Sequence, residues 1–244
     1  MEYQILFGAG IIVGIIGVIF GGSMFLSIPI FQQLFPGMAY GHIVGNIKVG
    51  SLSRGIASSL KTWKKINPKD ALSIAIPFIV ASIIGTATIA KLDQSFLIYG
   101  VITAILFSEI SPHISHLVNK RSRILFSVIA GLYNGLIGAG IGILLVAILR
   151  TIFPKNEEII FVKIQARFIE MLAGITVVIA HIYYGNILFP VWLVWALGSL
   201  IGGIVGGSIL KKTINIKPNI QRAYLITVYI IALLPFAIKH LHLS

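Results

Sequence analysis

The sequence predicts an all-α integral membrane protein built from two repeats, and three observations support this fold class. Hydrophobic residues make up 57% of the 244-residue chain and charged residues only 11%, against roughly a quarter charged in a soluble domain. The apolar residues fall into ten runs separated by short loops, and a glycine-rich interruption occurs in each half. Together these features predict multi-pass insertion into a cell membrane.

The ten apolar runs leave no room for a soluble domain. They lie at about residues 5–20, 23–35, 39–60, 71–90, 95–110, 124–137, 141–153, 159–183, 187–210 and 222–238. A polar stretch at 111–123 is the one plausible internal boundary, and it divides the chain into a first membrane repeat, 1–118, and a second membrane repeat, 119–244. Each repeat is predicted to contain a broken Gly-rich hairpin of two short helices, followed by three transmembrane helices.

The first interruption falls within residues 15–36, where Gly17, Gly21 and Gly22 lie between two apolar arms. Each arm would rise only about 18–24 Å as a helix, short of the ~30 Å hydrocarbon core. Backbone that is broken at membrane depth must be buried in protein or line a cavity. The stretch therefore predicts a discontinuous hairpin, either re-entrant or built from two tilted spans.

The second interruption repeats the first at a distance of 118 residues. Residues 133–154 match residues 15–36 at several positions, among them Gly140 for Gly22, and both stretches end in a Phe-Pro pair. Paired broken segments in two halves of a membrane protein are typical of the substrate site of a transporter.

The loop charges predict the orientation of the spans. If each broken stretch returns to the side from which it started, one side holds only Lys91 and Lys239. The other side collects Lys61, Lys64, Lys65, Lys69, Lys120, Arg121, Arg123, Arg150, Lys155, Lys211, Lys212, Lys217 and Arg222. Loops rich in Lys and Arg face the cytoplasm. The two repeats are therefore predicted to be inverted, with both termini outside.

Five charged side chains remain within the predicted spans: Lys48, Arg54, Lys163, Arg167 and Glu170. A charge at the centre of a membrane helix costs roughly 2.5–3.5 kcal/mol on insertion scales. Counted by helical rise, Lys48 and Arg167 lie about 12–13 Å from a span end, too deep for the headgroups to explain them. Arg54 and Lys163 lie about 6–9 Å from an end, so extension to the headgroups explains them as well as a buried site does.

The two deep cations correspond between the repeats. At an offset of 119 residues, Asn46 and Lys48 align with Gln165 and Arg167, so an amide precedes a cation by two residues in each half. Cations, amides and the free N–H groups of broken helices together favour an anion. The predicted substrate-binding residues are Lys48, Arg167, Asn46, Gln165, Gly21, Gly22, Gly138 and Gly140. The alternative is that Arg167 pairs with Glu170 as a buried strut.

The remaining polar residues are weaker candidates for a functional role than the intramembrane cations. Glu170, Glu109 and His42 are candidates for a proton relay or for pairing with a cation. No metal site or cofactor is predicted, although Glu109 shares a helical face with His113 and His116. No catalytic set or phosphate-binding loop indicates an enzyme, and the chain has no cysteine. The net charge of +12 suits anionic lipid headgroups rather than nucleic acid.

Particular motifs resemble those of the TauE/SafE family of sulfite and organosulfur-anion transporters. They are the glycine-rich turn at 17–22, Pro29 beyond it, and the run Gly-Asn-Ile-Lys at 45–48, with further glycine-rich elements at 135–140 and 198–203. The resemblance covers about residues 5–238 and implies transport of small anions such as sulfite, thiosulfate or sulfonates, commonly export, with coupling to protons as one option. The residues leave open an anion channel, a carboxylate carrier, and a scaffold or receptor that transports nothing.

Overall fold

The computed structural model of the protein describes residues 1–89, 97–114, 117–137, 141–153, 159–212 and 218–241. These residues form ten α-helices with no strand among them, which confirms the predicted all-α class. The helices are α1 (Glu2–Ile19), α2 (Ser23–Leu34), α3 (Tyr40–Thr62), α4 (Pro68–Ile89), α5 (Leu97–Ile114), α6 (Arg123–Leu136), α7 (Ile141–Leu149), α8 (Ile159–Tyr183), α9 (Val191–Lys212) and α10 (Pro218–Leu241).

The first predicted interruption separates α1 from α2. Gly21 and Gly22 lie between the two helices with φ of +83° and +66°, in the left-handed region that glycine adopts without a Cβ clash. The 12 residues of α2 rise only about 18 Å, too little to cross a bilayer. In the second half, α6 ends at Leu136 and α7 begins at Ile141, so that half also carries two separate helices, of 14 and 9 residues.

Several helices have the dimensions of membrane spans. By length and composition alone, four of them could cross a bilayer: Glu2–Ile19, Pro68–Ile89, Ile160–Tyr183 and Val191–Ile209. Large apolar side chains such as Ile12, Ile76 and Ile179 lie on the outside of the molecule. In a chain of this composition such an apolar exterior fits contact with lipid tails rather than water.

Two helix pairs join the halves of the chain through backbone contact. α1 packs along α9, and α4 packs along α6. A Cβ atom at Gly14 would lie 2.9 Å from the Cα atom of Gly202, and one at Gly85 would lie 3.1 Å from the Cα atom of Gly135. Glycines at such positions let membrane helices approach closely and gain van der Waals contact. Each pair contains one helix from each half.

Other helix contacts follow the same pattern, in which a helix of one half packs on a helix of the other. α3 packs on α9 as α8 packs on α4, and α2 packs on α10 as α7 packs on α5. The two helices that follow the hairpins, α3 and α8, also pack on each other. These two helices therefore lie between the hairpins, and they carry all the charged residues that the sequence analysis placed within spans.

Candidate functional site

A cavity of about 380 Å³ lies between α3, α8 and the tips of the two hairpins. Glycines of the first hairpin, Gly17, Gly21 and Gly22, form part of its wall, and Ile141 and Gly142 at the start of α7 form another part. Charged side chains also line it, namely Lys48, Arg54, Lys163, Arg167 and Glu170. The volume lies in the range of pockets that take small-molecule ligands. The cavity thus brings four cations and one acid together.

Helical spacing explains why α3 and α8 present these groups together. On α3 the wall residues Lys48, Ser51, Gly55 and Ser58 follow one another at intervals of three or four. The same spacing on α8 gives Lys163, Arg167, Glu170, Gly174 and Val177. Residues at these intervals share one face of a helix. Each central helix therefore turns a single polar and glycine-containing face towards the cavity.

Each deep cation bonds to the hairpin of the other half. Lys48 Nζ donates to the carbonyl oxygen of Asn134 at 2.6 Å, and Arg167 Nη2 donates to the carbonyl oxygen of Val18. Asn134 and Val18 lie in the last turns of α6 and α1, where carbonyls lack partners within the helix and a positive charge is favourable. The two cations therefore stabilise the broken helix ends, and both also line the cavity.

Arg54 lies at the tip of the first hairpin. A Cβ atom on Gly17 would stand 2.9 Å from Arg54 Nη1 and 2.7 Å from the Cβ atom of Ser23, so only glycine fits beneath the guanidinium. The tip is also held by Tyr224 of α10, whose hydroxyl donates to the carbonyl of Gly21 at 3.1 Å. Arg54 itself is partly buried. Its guanidinium lies against Gly17 in the cavity wall, a position that the sequence had left open.

Glu170 lies at the tip of the second hairpin. Its Oε1 atom would stand 3.5 Å from a Cβ atom built on Gly142, in the first turn of α7. The carboxylate is within electrostatic range of Arg167, Arg54 and Lys48. A carboxylate at the start of a helix is favourable because the first N–H groups lack partners within the helix.

The cations differ in depth. Lys48 is only 7% exposed, Arg54 and Arg167 are partly buried, and Lys163 is exposed. Because Lys163 is four residues from the start of α8, the cavity has its rim near that end of the helix. The cationic wall thus runs from an exposed rim to a buried end.

The two amides predicted as anion ligands bond to loop backbone of the opposite half. Asn46 Oδ1 accepts from the N–H of Leu188 at 3.2 Å, and Asn46 Nδ2 donates to the carbonyl of Asn186 at 3.5 Å as well as to that of His42 on its own helix at 2.6 Å. Gln165 Nε2 donates to the carbonyl of Lys65 at 2.7 Å, and its Oε1 accepts from the N–H of Asn67 at 2.8 Å. Neither amide is among the described residues that line the cavity.

Comparison with known proteins decides the family. The family model described as sulfite exporter TauE/SafE matches residues 6–234 of the chain. The chain belongs to the TauE/SafE sulfite exporter family. No curated protein and no solved structure matches it. As a TauE/SafE protein it is a multi-pass membrane transporter of the sulfite exporter class, not an enzyme.

The remaining candidate residues of this TauE/SafE protein are placed as follows. Gly138 and Gly140 lie outside the described residues, as does His116. Glu109 is exposed on α5, and His113 Nδ1 lies 2.9 Å from its carbonyl oxygen. His42 is partly buried one turn before Asn46. Neither Glu109 nor His42 is among the described cavity residues.

Three polar residues on α3 and α6 that line the TauE/SafE cavity were not predicted from the sequence. Ser51 and Ser58 lie on the cavity face of α3, and Asn134 lies at the end of α6. The serines carry a readable signal, because they are three and ten residues after Lys48 and so share its helical face. No sequence signal marks Asn134, because its role depends on the bond from Lys48, which is distant along the chain.

Proposed function

We propose that this protein is a secondary transporter of small anions, sulfite or organosulfur anions, which it binds in the central cavity. One observation supports this above all: four cations from two central helices converge on one cavity between two broken hairpins. In a membrane protein, uncompensated cations are costly, and intramembrane charges mark the path of ions or substrates. A visiting oxyanion supplies the missing negative charge.

The chemistry of the wall suits a sulfur oxyanion. Arg54 and Arg167 offer planar guanidinium groups that can bind two oxygens at once, while Lys48 supplies a compact charge at the buried end. The glycine backbone at Gly21 and Gly22, with Gly138 and Gly140 on the opposite hairpin, completes the proposed site. Asn46 and Gln165 serve it indirectly, because they fasten the central helices to the loops of the opposite half.

Alternating access follows from two inverted repeats, 1–118 and 119–244. The exchange of helix neighbours between the halves and the segregation of loop charge both support this arrangement. With both termini outside, the start of α8 faces the cytoplasm, so the rim at Lys163 opens inward. Transport is coupled to protons, and the direction is export of an anion that enters from the cytoplasm of a cell.

Flux in proteoliposomes tests the proposal. Purified protein should release entrapped sulfite or methanesulfonate faster than empty liposomes, and an imposed pH gradient should change the initial rate. A flux that saturates with substrate and responds to the gradient supports a carrier. Flux without saturation indicates a channel, flux only of carboxylates indicates a carboxylate carrier, and no flux indicates a scaffold or receptor. Any of these three results rejects the proposal.

Cysteine labelling tests the orientation. Because the chain has no cysteine, Asn67→Cys and Tyr184→Cys each introduce a single thiol, the second at an exposed position just after α8. An impermeant thiol reagent applied to intact cells should label the Tyr184 variant and, only after permeabilisation, the Asn67 variant. Labelling of both from the same side would reject inverted repeats.

A further inference from the structure

Glu170 is the only acid among the described residues that line the cavity. The titratable groups around it are Lys163 and Arg167 on its own helix, Lys48 and Arg54 on α3, and the hydroxyl of Tyr224 beside Arg54 on α10. The described wall residues of α1, α2, α6 and α7 are not titratable. The carboxylate is therefore surrounded by cations, and a bound anion would meet the same ones.

The two halves differ in charge at the position of Glu170. At the offset that aligns Lys48 with Arg167, Glu170 takes the place of Ser51, and Ala173 takes the place of Arg54. A cation thus lies at the first hairpin tip and a carboxylate at the second. The first tip can attract an anion directly, whereas the second tip already holds a negative charge.

Two negative charges cannot share these cations without cost. A substrate anion between Arg54 and Arg167 brings a second negative charge into the cavity that contains Glu170, and like charges at short range disfavour each other. Protonation of Glu170 removes this repulsion. Binding of the anion and binding of a proton to Glu170 must then favour each other by the same factor, because coupling between two sites is reciprocal.

On the basis of the proposed transport function, we infer that Glu170 is a built-in counter-anion that takes up one proton as the substrate anion binds. The carboxylate gains a proton and becomes a neutral acid, and no other bond changes. When the anion leaves, the proton leaves, and the carboxylate again offsets the cations. The loaded and the empty cavity thus carry the same net charge, and one proton moves with each anion.

Calorimetric binding of methanesulfonate to the purified full-length chain tests this inference, since that anion keeps its charge between pH 6 and pH 7.5. The titration is run in bis-tris and in imidazole, because sulfonate buffers would themselves compete for the cavity. The difference in heat between the two buffers measures the protons taken up. We expect uptake of close to one proton per anion and an affinity that rises about tenfold per pH unit as the pH falls.

The variant Glu170→Gln is a permanently neutral form of the side chain. It should bind methanesulfonate at least as tightly as the wild type at pH 7.5, with no proton uptake and no dependence on pH. Glu170→Asp, which keeps a titratable group, should retain the uptake. Glu2→Gln removes an exposed carboxylate at the start of α1 and is the matched control; it should behave as the wild type. Elution on size exclusion checks that each variant is folded.

The outcomes separate this inference from the proposed function. If methanesulfonate binds the wild type without proton uptake, Glu170 is not the coupling group, while anion transport stands. The same conclusion follows if Glu170→Gln keeps the pH dependence, or if Glu109→Gln abolishes it. If neither methanesulfonate nor sulfite binds the wild type at either pH, the proposed function itself is rejected. Should Glu170→Gln fail to fold, the proton count of the wild type still decides the matter.

Discussion

The two hairpins each consist of two separate helices, but the side chains at their tips differ in chemistry. At the first tip, Arg54 packs on Gly17 so closely that a methyl group would collide with it. At the second, Glu170 lies at an ordinary contact distance from the space beside Gly142. Each tip is also bonded by a cation from the opposite half, Arg167 or Lys48. The bond from a cation of the opposite half is thus common to both tips, whereas the charge at each tip is specific to its half.

The largest loss of anion binding is expected from Lys48 and Arg167, the cations at corresponding positions in the two halves. Lys48→Gln and Arg167→Gln should each weaken methanesulfonate binding by about 2–4 kcal/mol, as for one partner of a desolvated charge pair. That corresponds to a loss of about thirty-fold or more in affinity. Calorimetry measures it, with Lys120→Gln, an exposed loop cation, as the unaffected control. A large loss from only one of the two would mean that the anion lies at one tip alone.

A smaller effect, on the stability of the protein, should distinguish the tight packing of the first tip from the looser packing of the second. Gly17→Ala forces a methyl group against Ser23 and Arg54 and should lower the stability of the protein by about 1–3 kcal/mol, as overpacking does. Gly142→Ala meets only ordinary contact and should leave stability within about 0.5 kcal/mol of the wild type. Thermal unfolding in detergent, followed by fluorescence, compares the pair. Equal melting temperatures for the two variants would contradict the tight fit at the first tip.

The smallest effect concerns Lys163, the cation at the rim of the cavity. Depth along the helices, read from the sequence, predicts that Arg54→Gln and Lys163→Gln both lose less binding than substitutions of the deep cations. The exposed position of Lys163 supports the lower rank for that residue, whereas Arg54, as a proposed anion ligand in the cavity wall, should rank with Arg167. Lys163→Gln should reduce the association rate severalfold and weaken its salt dependence, as rim charges do, with little change in dissociation. Stopped-flow binding at two salt concentrations measures this. A faster dissociation instead would place Lys163 in direct contact with the anion.

Much of the framework could be predicted from the sequence because it depends on local pattern. Apolar runs of known length and the break at Gly21 and Gly22 are readable without tertiary contacts, and the recurrence of an intramembrane cation in each half identified Lys48 and Arg167. Both line the cavity, and so does Glu170. These features follow from composition and helical rise, which act within a single segment.

The sequence could not predict which polar side chains line the cavity and which bond to distant backbone. An amide two residues before a cation looks like a ligand, yet Asn46 and Gln165 bond to backbone in loops 142 and 98 residues away along the chain. Arg54 could be assigned to the cavity only after the contact with Gly17 was known. Distant backbone partners leave no periodic signal, so such roles appear only in three dimensions.

The glycine contact between α1 and α9 has a consequence for biogenesis. Helix α1 emerges from the ribosome long before α9, because its backbone partner Gly202 is made nearly two hundred residues later. Until then Gly10 and Gly14 face lipid, which cannot replace helix-to-helix packing of this closeness. The N-terminal helix therefore completes its tertiary contacts late in synthesis, and a chain truncated before α9 leaves that surface open to insertases and membrane proteases. Quality control can thus recognise an unfinished protein at its first helix.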